Sequence, residues 1–241
     1  MDNSVVVGIH QPNFMPWLGY FYKIAQSDIF IFLDDVQFIK TGSNYTNRVA
    51  INIQGESSNI TIPIKRVSGT QNINETEILN EKKWKKKLIG SIQSNYAKTP
   101  YFKEHKDYIF ELINYRADNL AEYNMHFITS LSKALELHTI FERSSKFKLS
   151  STSTQRLVEL IWLVGGTVYL SGTGGDNYQK QNLYQQNSIE LIYNSMPSFT
   201  YSQPKSEHFI KGLSIVDAIF NVGIEDLKNF FLTKKEKYEN P

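Results

Sequence analysis

Two short apolar runs place the first constraint on the fold. Val5-Val6-Val7-Gly8-Ile9 and Ile29-Phe30-Ile31-Phe32-Leu33 are rich in β-branched and aromatic residues and lack polar alternation, so both read as strands buried on two faces. Between them, residues 17–25 are too many for a hairpin turn and carry Trp17, Tyr20, Phe21 and Ile24 at helical spacing. The pattern is β-α-β, which joins parallel strands through a right-handed crossover. Ligands of open α/β sheets gather outside the carboxyl ends of the strands. The residues that follow the two runs are therefore the first candidates for chemistry.

The rest of the chain extends this plan. Residues 48–53 and 59–64 alternate around Gly55-Glu56-Ser57-Ser58, which predicts a hairpin closed by a loop. Helical periodicity follows over 82–94, 106–114 and 120–136. Alternating elements then return: a strand at 139–141, a helix at 154–164, and strands at 167–170 and 189–193. Ser214 reads as the N-cap of a helix over 215–221 that Gly223 terminates, with one further helix at 224–231. The expected fold class is α/β, a Rossmann-like and mainly parallel sheet with a β-hairpin and a central α-helical region. It forms a single α/β domain over 1–241, with the helical region at about 81–136 a candidate subdomain.

Composition narrows the function classes. Cysteine is absent, which excludes a disulfide scaffold, a thiolate zinc site and a cysteine nucleophile. With 26 basic and 24 acidic residues the net charge is +2, too small a field to gather nucleic acid, so nucleic acid is not expected as a main partner. No apolar run approaches the roughly 18–20 residues of a membrane helix, and the first residues lack the basic region and cleavage site of a signal peptide. A cytoplasmic protein with no membrane partner is the expectation.

Three constellations carry candidate chemistry. In the first, His10-Gln11-Pro12-Asn13 lies where the first strand ends, with Trp17 and Tyr20 opening the helix and Lys23 one turn on. A histidine there can act as acid, base or phosphate ligand, and it can equally be satisfied by loop carbonyls. The second is Asp34-Asp35 with Gln37, followed by Asn47 and Arg48. If the two strands are neighbours, both carboxylates emerge at the same sheet edge as His10, where such a pair can bind a metal, orient a histidine, or hold a hydroxyl or amine. The third is Ser171-Gly172-Thr173-Gly174-Gly175, with Tyr178 beyond it. Its small residues admit close approach of backbone amides to an anion, but its spacing matches neither the dinucleotide fingerprint nor the Walker loop. His105, His126, His138 and His208 show no metal-ligand spacing, and no metal site is expected. Lys82 to Lys87 around Trp84 reads first as a solvated helix face.

Several motifs taken in order resemble the WbqC-like family. They are His10-Gln11-Pro12, Pro16-Trp17, Gly19-Tyr20-Phe21 with Lys23, Asp34-Asp35-Val36-Gln37-Phe38, Asn47-Arg48, Tyr96, Tyr169-Leu170-Ser171-Gly172, Tyr178, Leu213-Ser214-Ile215-Val216-Asp217 and Phe220-Asn221-Val222-Gly223. Asn44-Tyr45-Thr46 departs from the pattern, since a tryptophan is expected before the Asn-Arg pair. The resemblance implies a bacterial cytoplasmic protein of O-antigen or other surface-polysaccharide biosynthesis. It also implies an acyl or aminoacyl transferase, glycyl included, acting on the amine of a nucleotide-linked amino sugar. In that role His10 moves the proton and Asp34 or Asp35 orients the amine. Arg48 and Lys23 bind phosphate, the amides of residues 171–174 hold an oxyanion or phosphate, and the acyl donor is unknown.

Two rival expectations stand beside it. The strand, histidine turn, helix and Asp-ended strand are similar in layout to nucleotidyltransferases with a His-x-Gly-His signature, which points to an ATP-dependent ligase with magnesium on Asp34 and Asp35. This chain has Gln-Pro-Asn where that signature needs its second histidine. The other rival is a non-enzymatic module that docks an acyl carrier protein on the lysines of 82–87.

Overall fold

The structure is a computed structural model that describes residues 4–40, 45–65, 69–81, 83–172 and 180–233. Strands β1 (Val6–His10), β2 (Ile29–Phe32), β5 (Ile140–Arg143), β6 (Val168–Ser171) and β7 (Glu190–Tyr193) form one sheet in the order β5-β2-β1-β6-β7. All four pairings are parallel. Strands β3 (Arg48–Ile53) and β4 (Glu56–Thr61) make a separate antiparallel hairpin. The fold is α/β, as the β-α-β pattern predicts.

Helices cover both faces of the sheet. On one, α5 (Ser153–Leu163) and α6 (Gln181–Gln186) close a cluster containing Val7, Ile9, Ile31, Val158, Ile161, Tyr169 and Tyr184. On the other lie α1 (Leu18–Ala25), α2 (Trp84–Tyr96), α3 (Phe102–Asn114), α4 (Leu120–Ala134), α7 (Ile215–Val222) and α8 (Ile224–Thr233). This second cluster runs continuously from Phe14 through Phe30 and Phe32 to Phe231 and includes the hairpin residues Val49 and Ile51.

Where the sequence expectations differ from the structure, the reasons are local. The hairpin turns at Gln54-Gly55, not over 55–58, because both residues adopt positive φ, 57° and 91°. That two-residue turn matches strand twist, so β4 begins at Glu56. Helix α3 starts at Phe102, directly after the Thr99-Pro100 break, four residues before the expected start. Helix α6 carries polar residues on all but one face, around buried Tyr184, and so left no periodic signal. Ser214 does cap α7, its hydroxyl accepting from the Val216 amide at 3.3 Å, and Gly223 at φ +91° ends it. None of the described helices is long and apolar enough to cross a membrane.

Gly8 on β1 lies close to Ser27, which follows α1, and to Phe30 on β2. A Cβ on Gly8 would lie 2.4 Å from Ser27 Oγ and 2.9 Å from Phe30 Cδ2. Gly8→Ala is expected to lower stability by about 1–3 kcal/mol, the usual effect of overpacking. Urea unfolding of the two proteins measures it, and equal midpoints would show that Ser27 and Phe30 shift freely.

Candidate functional site

The strand order places the crevice. The chain passes from β1 to β2 and β5 on one side, then returns to β6 and β7 on the other, so the reversal falls between β1 and β6. Such a switch point is where open sheets bind ligands. The sequence places the site at the C-terminal edge between the first and second strands, which borders this switch point across β1. Gly8 pairs with Leu170, and two residues further along each strand stand His10 and Gly172.

His10 is half-buried at this edge. Its Nδ1 lies 3.1 Å from the Gln11 carbonyl oxygen, which can only accept, so the neutral ring carries its proton on Nδ1. Nε2 then holds the lone pair and has no hydrogen-bond partner among the described residues. Desolvation, with the positive charge of Lys23 second, lowers the imidazole pKa to about 4. Tyr20 stands edge-on at 4.8 Å between ring centroids and donates its hydroxyl to the Gln11 carbonyl at 2.8 Å. Trp17 lies 6.1 Å from the imidazole on another side.

Lys23 is buried beneath this group. Its ammonium donates to the Ile9 carbonyl at 2.7 Å and lies 5.9 Å from the centroid of the Tyr169 ring, which spans the β1–β6 junction. No carboxylate among the described residues forms an ion pair with it, and burial lowers its pKa to about 7. The residue expected from the sequence to bind phosphate is thus a buried one, 3% exposed.

The two aspartates are held by protein groups. Asp34, 1% exposed, accepts from Ser145 N at 3.0 Å and Ser145 Oγ at 2.8 Å, with Ser144 Oγ at 3.2 Å and Arg143 Nε at 3.5 Å. Asp35 accepts from Ser144 Oγ and pairs with Arg156. The carboxylates thus fasten the end of β2 to the turn after β5 and to α5. Both do emerge at the sheet edge of His10, as parallel pairing requires. Their oxygens, however, are engaged by residues about 110–120 positions away, which no local spacing could reveal.

The remaining candidates divide. Gln11 receives the Thr46 hydroxyl at 3.4 Å, and buried Asn13 has no side-chain hydrogen bond among the described residues. Asn47 donates to the Ile62 carbonyl and braces the hairpin, whereas Arg48 and Gln37 are exposed. Ser171 is buried at the end of β6, and Gly172 borders open space, since a Cβ added there would meet nothing within 4 Å. Thr173, Gly174 and Tyr178 lie outside the described residues. Lys85 reaches the Tyr115 carbonyl and lies over Trp84 and Tyr123, so this lysine packs down onto its helix surroundings. Lys82 lies outside the described residues. His105 accepts from the Ile224 amide and stacks on Tyr101, a structural role.

Sequence reasoning missed the residues that hold the His10 loop. Asn124, fully buried on α4, donates through Nδ2 to the carbonyls of Pro12 (2.8 Å) and Thr46 (2.7 Å). The Phe14 amide donates to the Tyr45 carbonyl, and the next residue, Met15, is buried at φ +41°. A non-glycine residue persists there only when its surroundings over-determine it. Tyr45, in the stretch that departs from the family pattern, packs its ring 5.4 Å from Trp17 and is half exposed.

A family model described as the WbqC-like protein family matches residues 11–229. Among curated proteins, the chain is similar to the uncharacterized protein Rv1507c of Mycobacterium tuberculosis (strain ATCC 25618 / H37Rv). The two are 29% identical over 222 residues, covering 91% of this chain and 94% of that protein. No solved structure matches.

The buried ammonium makes a pH prediction. Because the folded pKa of Lys23 lies below its unfolded value of 10.5, the unfolded state binds more protons between about pH 7 and 10.5. This group therefore adds stability as pH rises through that window and withdraws it as pH falls. In Lys23→Met the contribution disappears. The difference in unfolding free energy between the two proteins is expected to change by up to about 1.4 kcal/mol per pH unit there, and His10 is expected to titrate at a higher pH by NMR. A pH-independent difference would place Lys23 in a solvated environment.

Proposed function

The chain belongs to the WbqC-like protein family, and from that premise and the site geometry we propose that it is an acyl or aminoacyl transferase. Its acceptor is the amine of a nucleotide-linked amino sugar, in the assembly of O-antigen or a related surface polysaccharide. The observation that carries the reading is the unpartnered Nε2, among the described residues, of a neutral His10 at the β1–β6 switch point. Transfer to an amine needs a base at this place. The amine nitrogen bonds to the acyl carbon while the donor's bond from that carbon to its leaving atom breaks. The ammonium proton passes to Nε2 and from there to the leaving group. An imidazole locked with Nδ1–H on a carbonyl presents one basic nitrogen and one orientation for that relay.

The low pKa of His10 suits an empty site better than an occupied one. Burial and the Lys23 charge lower it, and an entering diphosphate reverses the sign of the local field, which raises both His10 and Lys23. Base strength then develops when substrate is present. Lys23 acts here as countercharge, and the Gly172 end of β6 offers backbone to the anion. Exposed Arg48 on the hairpin is a second phosphate ligand. Asp34 and Asp35 act on this site through the β2 end they fasten, and with their oxygens already occupied they lend the ligase reading no support.

His10→Ala is expected to lower turnover by about 10²–10⁴-fold with an unchanged thermal midpoint. A thermal-shift panel of ATP, coenzyme A and dTDP-, UDP- and GDP-linked amino sugars, with and without magnesium, identifies the substrate class, since a ligand of the folded state stabilises it by mass action. Stabilisation by an amino-sugar nucleotide is the expected result. A response to ATP with magnesium alone, or full turnover in the His10 variant, would overturn the proposal.

A further inference from the structure

A second cavity adjoins the site through Trp17. It has a volume of about 370 Å³ and lies between the first turn of α1 and residues 196–213, within the range of small-molecule pockets, roughly 300–1,000 Å³. Trp17, Met196, Phe199, Tyr201 and Phe209 supply most of its wall. Gly19 keeps one side open, since a Cβ there would meet Trp17 Nε1 at 3.1 Å and Met196 Sδ at 3.9 Å. Ser198, Thr200 and Lys211, all exposed, are the other polar residues on its lining. No acidic side chain is among the described residues that line it.

The wall is fixed from behind. Asp217, fully buried on α7, accepts from Tyr201 OH at 2.8 Å, Gln203 Nε2 at 2.9 Å and Tyr96 OH at 2.9 Å. Gln203 also bonds Ile210 in both directions, accepting its amide at 2.6 Å and donating to its carbonyl at 3.2 Å. Both limbs of the segment are thereby tied, one directly and one through Gln203, to a single buried carboxylate. A segment without helix or strand thus holds its aromatic side chains around a preformed space.

We infer that this cavity is the donor subsite and takes the apolar part of an acyl group, neutral or anionic, and not an aminoacyl group bearing a free ammonium. The inference rests on the transferase reading for its meaning and narrows it. An apolar chain gains by leaving water against aromatic walls. An ammonium placed there would lose hydration with no carboxylate among the described lining residues to receive it. Trp17 is common to the two places: it lines the cavity and lies 6.1 Å from His10 between ring centroids.

The test uses the full chain and two thioester probes, octanoyl- and glycyl-N-acetylcysteamine. The absence of cysteine leaves no thiol to exchange with them. Calorimetry is expected to show octanoyl binding at least tenfold tighter than glycyl. Ser198→Trp and Thr200→Trp, substitutions at lining positions outside helix and strand, are each expected to weaken octanoyl binding at least tenfold without changing the unfolding midpoint. A diazirine analogue of the octanoyl probe is expected to label the peptide holding Trp17 or those within 196–213, a readout that needs no variant. Glycyl binding as tight as octanoyl, labelling elsewhere, no octanoyl binding, or displacement by an amino-sugar nucleotide from the same labelled peptides would each overturn the assignment. Octanoyl binding in a protein that transfers nothing would leave the subsite standing and remove the transferase reading. Acyl transfer that neither tryptophan variant slows would do the reverse.

Discussion

The approach of α1 to the central strand is the constraint from which the rest of the site follows. From α1, Lys23 reaches the Ile9 carbonyl, and Tyr20 packs on His10 while its hydroxyl meets the Gln11 carbonyl. All three contacts come from one short helix, so a displacement of that helix would move them together. A buried ammonium is tolerable here since a carbonyl receives one of its protons and an aromatic ring stands near it. The arrangement leaves positive charge in the floor of a crevice with no carboxylate paired to it among the described residues. That electrostatic asymmetry favours an anionic ligand before any contact with it is specified.

Charge placement around the sheet edge shows a division of labour. Asp34, Asp35, Arg143 and Arg156 pair with one another and with Ser144 and Ser145, so the acidic groups are neutralised within the wall. Had either carboxylate faced His10 unpaired, its negative charge would have raised the imidazole pKa. Among the described residues, the neighbouring charge that acts on His10 is Lys23, and it acts in the opposite direction. A neutral histidine over a buried cation is thus a consequence of where the acids are tied down.

How much of this was legible in the sequence depended on whether the determining contacts were local. The strands were readable because Val6, Val7 and Phe30 to Phe32 are buried on both faces and their composition says so. The cap at Ser214 and the stop at Gly223 were readable because they act within a few residues. The role of the aspartates was not, since adjacent carboxylates look alike whether they face a ligand or distant serines and arginines. Asn124 gave no sign, as a lone asparagine in an amphipathic helix carries no hint that it holds a loop 112 residues away. Residues 196–213 were opaque for a related reason: without periodicity, their conformation is set by hydrogen bonds to Asp217 on a helix that follows them.

Asp217 has to receive three donors at once, from Tyr96, Tyr201 and Gln203. Burial raises its pKa despite three hydrogen bonds to it, so the ionised carboxylate is less favourable here than in water. A neutral amide at the same place could accept from two donors, but its NH₂ would turn toward one of them and release a limb of the wall. A carboxylate has acceptor capacity in every direction and no donor to misplace. The residue trades solvation for the ability to hold Tyr96, Tyr201 and Gln203 together. What it holds open is an apolar space beside Trp17, and the geometry of that space is therefore written into a charge that never reaches it.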